Sequence, residues 1–250
     1  MRLAAAFAKK PVLMPFIMAG DPSVEATERI VAALAEAGAD LIELGVPFTD
    51  PLADGPINQA AAERALAGGT TVRGILQMVA KLREQGLQIP ILLLSYLNPL
   101  LAFGDNLIEE AARAGIDGLV IPDLPPEEHS WFAKGESRLP LISFVSPTTD
   151  PKRRQKIAKE AQGFLYCVST TGTTGPKDEL PAELESLLLE LEHICPVPRV
   201  VGFGISSPQQ AREVGKMADG VIVGSALVEK LHRDVDEGIE FIRQLKAALK

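Results

Sequence analysis

The feature that most constrains the fold is a pair repeated along the chain: a short apolar run, a helical stretch, and an abrupt return into the next apolar run. Residues 12–18 form the first run, followed by Ala19-Gly20-Asp21-Pro22 and a helix whose face carries Ile30, Leu34 and Ala37 and which Gly38 ends. Asp21 then Pro22 suits an N-cap followed by the first helical position. The order returns at 41–46 with helical stretches at 60–66 and 72–85, at 91–95 with 107–114, and at 118–121 with 127–134. It continues at 141–145 with a helix opened by Asp150-Pro151, and at 164–168 with a helix opened near Pro181. Next come 199–202 with a helix opened by the Ser207…Gln210 capping box, and 221–224 with the closing helices. The joins Ala37-Gly38-Ala39-Asp40, Ala114-Gly115-Ile116-Asp117 and Met217-Ala218-Asp219-Gly220 each lead straight into an apolar run. No two runs lie close enough to form a hairpin, so the strands are expected to be parallel, and about eight of them can close. The expectation is a single (β/α)8 TIM barrel, residues 1–250 as one domain, with a short extra N-terminal helix in MRLAAAFAKK. An open doubly wound sheet is the alternative, but Ala19-Gly20-Asp21 lacks the glycine spacing that such a sheet places after its first strand.

Composition limits the function classes. A formal charge of -8 disfavours nucleic acid and anionic membrane surfaces, and the apolar stretch 89–103 is broken by Ser95, Asn98 and Pro99, so no membrane span is expected. Cys167 and Cys195 have no C-x-x-C spacing and read as reduced thiols; His193 beside Cys195 reads as a helix-end histidine, and no metal site is expected. Lys9 and Lys10 interrupt the N-terminus too early for a secretory signal, which points to the cytoplasm.

Chemistry gathers first in LIELGVPFTDPLADGPINQ, residues 41–59. Alternation along a strand places Glu43 on one face with Leu41 and Gly45, and Ile42, Leu44 and Val46 on the other. A carboxyl among apolar side chains is either a paired structural ion or an acid/base with a displaced pKa. Asp50 and Asp54 follow in the loop, where Asp54 is either a site carboxylate or a cap for the next helix. The other strand ends add polar groups, Tyr96 and Tyr166 among them, but no strand carries a lysine. Lys177 lies in a loop that supplies neither burial nor a fixed position, which argues against imine chemistry. The segments Thr171-Gly172-Thr173-Thr174-Gly175, Gly202-Phe203-Gly204-Ile205-Ser206 and Gly224-Ser225 expose backbone N–H groups, and the last opens a helix. Together they can hold a phosphate where barrels often place one.

These motifs carry a family resemblance. ELGVPFTDPLADGP resembles the signature of the tryptophan synthase alpha subunit, and PFIMAGDPS, SYLNPL, VIPDLPPEE, YCVSTTGTTG, VGFGISSPQQ and VIVGSALV fall in that family's order over nearly the whole chain. The resemblance implies a TIM barrel and a cofactor-free carbon–carbon lyase that splits indole-3-glycerol phosphate into indole and glyceraldehyde 3-phosphate. It implies Glu43 as general acid/base, Asp54 as the carboxylate that holds the indole N–H, and Tyr166 as an aid to placing Glu43. Phe16, Leu94 and Tyr96 would line the indole pocket. Thr174, Gly175, Phe203, Gly204, Gly224 and Ser225 would complete the substrate site, mostly at the phosphate. Pro47, Asp50 and Thr174 would lie on loops that close over substrate and face a beta subunit, the pyridoxal-phosphate-bearing partner in an alpha-beta-beta-alpha heterotetramer. Thr49, Asn58 and Thr173 depart from the family's usual residues, at positions read as loops. Three functions stay open: the lyase half of a two-subunit enzyme, a free-standing lyase, and a barrel kept mainly to bind and activate its partner.

Overall fold

The computed structural model describes residues 2–133, 139–168, 182–202 and 204–250. Eight parallel strands close into a barrel in sequence order: β1 (Val12–Met18), β2 (Ile42–Gly45), β3 (Ile91–Leu94), β4 (Gly118–Val120), β5 (Leu141–Val145), β6 (Leu165–Val168), β7 (Arg199–Gly202) and β8 (Gly220–Val223), with β8 pairing back onto β1. The helices around them are α1 (Arg2–Ala6), α2 (Val24–Glu36), α3 (Pro56–Ala67), α4 (Val72–Glu84), α5 (Leu97–Phe103), α6 (Leu107–Ala114), α7 (His129–Phe132), α8 (Pro151–Glu160), α9 (Ala182–Glu192), α10 (Pro208–Gly215), α11 (Ser225–Arg233) and α12 (Val235–Ala248). The closed barrel replaces the open-sheet alternative.

Strand alternation separates two cores. Ile42, Leu44, Leu93, Leu119 and Val221 point outward to the helices, whereas Met14, Leu41, Leu92, Val120, Ile142, Phe164, Val200 and Ile222 fill the barrel. The N-terminal helix closes the barrel floor: Leu3 and Phe7 join the interior cluster, and the Phe7 ring lies 5.9 Å from Phe164. The interior is therefore packed at the bottom, and the functional space lies above it, at the C-terminal ends of the strands.

The repeated joins explain themselves at that floor. Asp40, just before β2, accepts the Leu13 N–H of β1 at 2.7 Å. Asp117, just before β4, accepts the Ile91 N–H of β3 at 2.9 Å, and Asp219, before β8, accepts the Arg199 N–H of β7 at 2.8 Å. Asp117 and Asp219 thus satisfy the first donor of the preceding strand and Asp40 the second donor of β1, and each is neutralised by cations: Lys246 at Asp40, Arg2 and Arg83 at Asp117, Lys10 and Arg199 at Asp219. Arg83 and Asp117 are the most buried of these partners, with side chains 12% and 10% exposed. Burial pushes the Arg83 guanidinium down to about 10, against the opposing pull of Asp117. Asp117→Ala is expected to lower the unfolding free energy by about 3 kcal/mol, because it strands a nearly buried guanidinium and an amide donor together; urea denaturation checks this.

Two local expectations are corrected. Asp21-Pro22 does not open α2; Ser23 is the N-cap, its hydroxyl accepting from Ala26 N–H, while both Asp21 oxygens take the Arg64 guanidinium at 2.8 and 2.7 Å. The helix expected over 127–134 is a 3-10 turn at Pro126–Glu128 followed by the single turn of α7. Within the interrupted apolar stretch 89–103, residues 97–103 form α5, and Pro99 falls in its first turn, where no intrahelical N–H bond is lost.

Candidate active site

Glu43 lies in β2, in register with Phe16 of β1 and Leu92 of β3, and points into the barrel. It is 1% exposed, and its Oε1 has no hydrogen-bond partner among the described residues. Burial first, and the Asp54 charge second, push its carboxyl up to about 8. Glu43 therefore holds a proton at neutral pH and can release it close to neutrality, which suits an acid that must afterwards act as a base.

Asp54 does not cap the next helix, since Gly55 is the N-cap of α3 and makes no side-chain bond there. Its Oδ2 accepts from the Tyr96 hydroxyl at 2.9 Å, and its Oδ1 faces Asn58 Nδ2 at 3.4 Å. The same Tyr96 oxygen accepts the Ala53 N–H at 2.8 Å, and its ring sits 5.6 Å from Phe48. Tyr96, 3% exposed, thus fastens the loop between β2 and α3 to the end of β3. Burial raises its phenol far above the ordinary tyrosine value, against the Ala53 N–H and with help from Asp54, so the hydroxyl remains a donor.

Phe16, Leu94 and Tyr166 stand on the inner face around Glu43, and glycines make the room. A Cβ on Gly45 would lie 2.7 Å from the Phe16 ring, and one on Gly202 would lie 2.4 Å from the Tyr166 ring. Tyr166 also lies 4.8 Å from Phe144, and burial, then Glu43, then Asp54 raise its phenol well above the usual value. Among the described residues no hydrogen bond joins it to Glu43, and the electrostatic influence runs from the Glu43 carboxylate to the phenol.

After β7 and β8, at the same C-terminal rim, Gly204 has φ +80 with open space where a side chain would be, and Gly224 is the N-cap of α11, whose first residue is the exposed Ser225. The first N–H groups of a helix have no intrahelical acceptor, so this end can receive an anion. Thr174, Gly175 and Phe203, with the segment 171–173, lie outside the described residues. Pro47 is buried at the base of the β2–α3 loop, and Asp50 is exposed on it, accepting the Thr49 hydroxyl.

The residue least visible in the sequence is Asn58, which belongs to the first turn of α3 and not to a loop. Its spacing from Ala61, Ala62 and Ala65, the face that packs on Phe16 and Met18, was the available signal. Among the described residues no group of three or more His, Cys, Asp or Glu side chains could hold a metal ion, and both cysteines are free. No helix of the described residues is long and apolar enough to cross a membrane.

Known proteins resemble the chain over nearly its whole length. A family model described as tryptophan synthase alpha chain matches residues 3–250. The tryptophan synthase alpha chain of Shouchella clausii is 48% identical over 233 residues, covering 92% of this chain and 86% of the relative. That of Geobacillus kaustophilus is 49% identical over 226 residues, covering 89% and 84%. Among solved structures, tryptophan synthase subunit alpha from Legionella pneumophila superposes with a TM-score of 0.90 at 35% identity, covering 99% of this chain and 98% of that one. Mycobacterium tuberculosis tryptophan synthase gives 0.91 at 35% identity with the same coverage. With match, length and architecture in agreement, the chain belongs to the tryptophan synthase alpha chain family.

Proposed function

We propose that Glu43 and Asp54 carry out the retro-aldol cleavage of indole-3-glycerol phosphate in this chain. As a member of the family the protein is a carbon–carbon lyase of tryptophan biosynthesis and works with a beta subunit. The reaction breaks the bond between indole C3 and the carbinol carbon of the glycerol chain. A proton must reach C3, and the carbinol hydroxyl must lose its own proton as the aldehyde forms. Protonation at C3 places positive charge on the ring nitrogen, and Asp54, accepting the ring N–H, stabilises that charge. Glu43 delivers the proton to C3 and takes the hydroxyl proton in return, so the carboxyl ends as it began. The observation that carries this reading is the pairing of a buried carboxyl, displaced to about 8 and with an Oε1 that has no partner among the described residues, with a second carboxylate clamped by Tyr96, both above an apolar barrel interior.

Phe16, Leu94 and Tyr96 line the indole pocket in this reading, with Tyr166 beside Glu43, and the N-terminus of α11 with Gly204, Gly224 and Ser225 receives the phosphate. Thr174, Gly175 and Phe203 complete that site by motif alone. The chain acts as one domain, in the cytoplasm, with no cofactor of its own; pyridoxal phosphate belongs to the beta subunit, in an alpha-beta-beta-alpha assembly that receives the indole. Leu52, 84% exposed beside Asp50, gives the β2–α3 loop an apolar tip suited to that partner. Indole release from indole-3-glycerol phosphate, measured with and without a tryptophan synthase beta subunit, tests the assembly: a rise of about tenfold or more is expected, through loop closure on the partner. Equal rates would leave a free-standing lyase, and no release in either condition would leave a binding barrel.

A further inference from the structure

Asn58 is held in an arrangement that its immediate neighbours do not satisfy. Its amide group lies beside the Asp54 carboxylate, with Nδ2 3.4 Å from Oδ1. That neighbour fixes the orientation of the amide: turning it over would set oxygen against oxygen, so the nitrogen must face Asp54. The amide oxygen is then forced to the other side, where Oδ1 is buried with no donor among the described residues. Among the described residues Glu43 Oε1 is the other buried side-chain atom in this condition, and it belongs to the same site. A buried acceptor without a donor costs stability, and an apolar side chain there would avoid that cost.

The position makes the direction of the amide informative. Asn58 is in the first turn of α3 and shares a helix face with Ala61, Ala62 and Ala65, which pack on Phe16 and Met18. Phe16 is in register with Glu43. The Asn58 side chain therefore projects from the face of α3 whose alanines pack on Phe16, with Asp54 beside it.

We propose that Asn58 is a specificity-determining residue: its N–H group steadies Asp54, and its buried amide oxygen is a second acceptor for the ring N–H of the substrate. The inference rests on the placement of the indole between Phe16 and Asp54 described above. Such an acceptor discriminates strongly, because a ligand that lacks the donor leaves the oxygen unpaired.

Indole and benzofuran, bicyclic rings that differ in carrying an N–H or a ring oxygen, test this as competitive inhibitors of indole-3-glycerol phosphate cleavage by the full chain. The wild type is expected to prefer indole. In Asn58→Leu that preference should narrow by about threefold to tenfold, with benzofuran bound at least as well as before and with a higher melting temperature. Asn58→Ala removes the same two polar groups with less bulk and serves if the leucine does not fit. An unchanged preference in the Asn58 variants, together with its collapse in Asp54→Ala, which has no acceptor, overturns the role of Asn58 alone. An unchanged preference in all of them overturns the placement of the indole itself. A loss of melting temperature in Asn58→Leu and Asn58→Ala with the preference retained would make Asn58 a structural residue, which also overturns the proposal.

Discussion

Glu43→Gln is expected to lower turnover by about three to four orders of magnitude and, at neutral and alkaline pH, to stabilise the fold. The two effects share one cause. A glutamine has the shape of a protonated glutamate but can neither deliver a proton to C3 nor receive one from the hydroxyl. It leaves the helix end at Ser225 untouched, so affinity for a phosphate-bearing ligand should stay within about tenfold. The stability effect follows from the displacement of the carboxyl from 4.5 to about 8. Between those values the folded chain keeps a proton that the unfolded chain has released, so stability falls as pH rises. The contribution of the protonated Glu43 is fully present below pH 4.5 and is lost as pH climbs through 8. The glutamine has no proton to lose, and the advantage of the variant should therefore grow across this window to about 5 kcal/mol and then level off. Thermal unfolding of both proteins from pH 4 to 9 measures it. Parallel curves would mean that Glu43 is ionised in the fold, and near-normal turnover would remove it from the chemistry. The wild-type rate should also decline as pH rises through about 8, when the proton donor is lost.

The same residue shows how far a sequence can be read. Glu43 was legible because strand alternation is rigid: once residues 41–46 are a strand, the faces of Leu41 and Leu44 are settled, and Glu43 must share the interior with Leu41. The barrel was legible for a related reason. Each strand announces itself as an apolar run, and short returns leave parallel pairing as the available arrangement. Elements whose signal is a terminus were read less well. Asp21 before Pro22 reads as a cap, although Arg64, 43 residues away, claims both its oxygens, and Ser23 holds the cap instead. The joins at Asp40, Asp117 and Asp219 were visible as a repeat, but their work is done on strands and cations that sequence order does not place nearby.

The site divides along the same line. Its carboxyls stood out, because a charge in an apolar run or in a Pro/Gly loop is conspicuous. The clamp did not, since Tyr96 and Asp54 are separated by 42 residues and meet where a loop folds back over the barrel. Tyr96 was expected as a wall of the pocket, yet its hydroxyl is committed to Asp54 and to the Ala53 N–H. Asn58 was noted as an unusual residue in a loop, and only the helical register of α3 turns it toward Asp54 and Phe16.

Asp54→Asn separates charge from shape at the heart of that clamp. An asparagine can still accept the Tyr96 hydroxyl through its amide oxygen, so the loop should stay in place and the melting temperature should change little. It can accept the ring N–H as well, but without the full negative charge that opposes the positive charge developing on the ring. Turnover is therefore expected to fall about a hundredfold, while KM rises by less than about fivefold, because the lost interaction is strongest in the transition state. The variant also changes Glu43, whose carboxyl is held up by burial and, after it, by the Asp54 charge. With that charge gone the second cause disappears and the first remains, so the alkaline decline in rate should move to lower pH while staying above the ordinary glutamate range. A rate profile from pH 5 to 10 for wild type and variant reads both effects at once. Equal losses in kcat and in substrate affinity would reduce Asp54 to a holder of the ground state. A decline that stays at the wild-type pH would mean that burial alone sets the proton affinity of Glu43, and the two carboxyls would then act side by side without the electrostatic coupling that keeps one of them protonated.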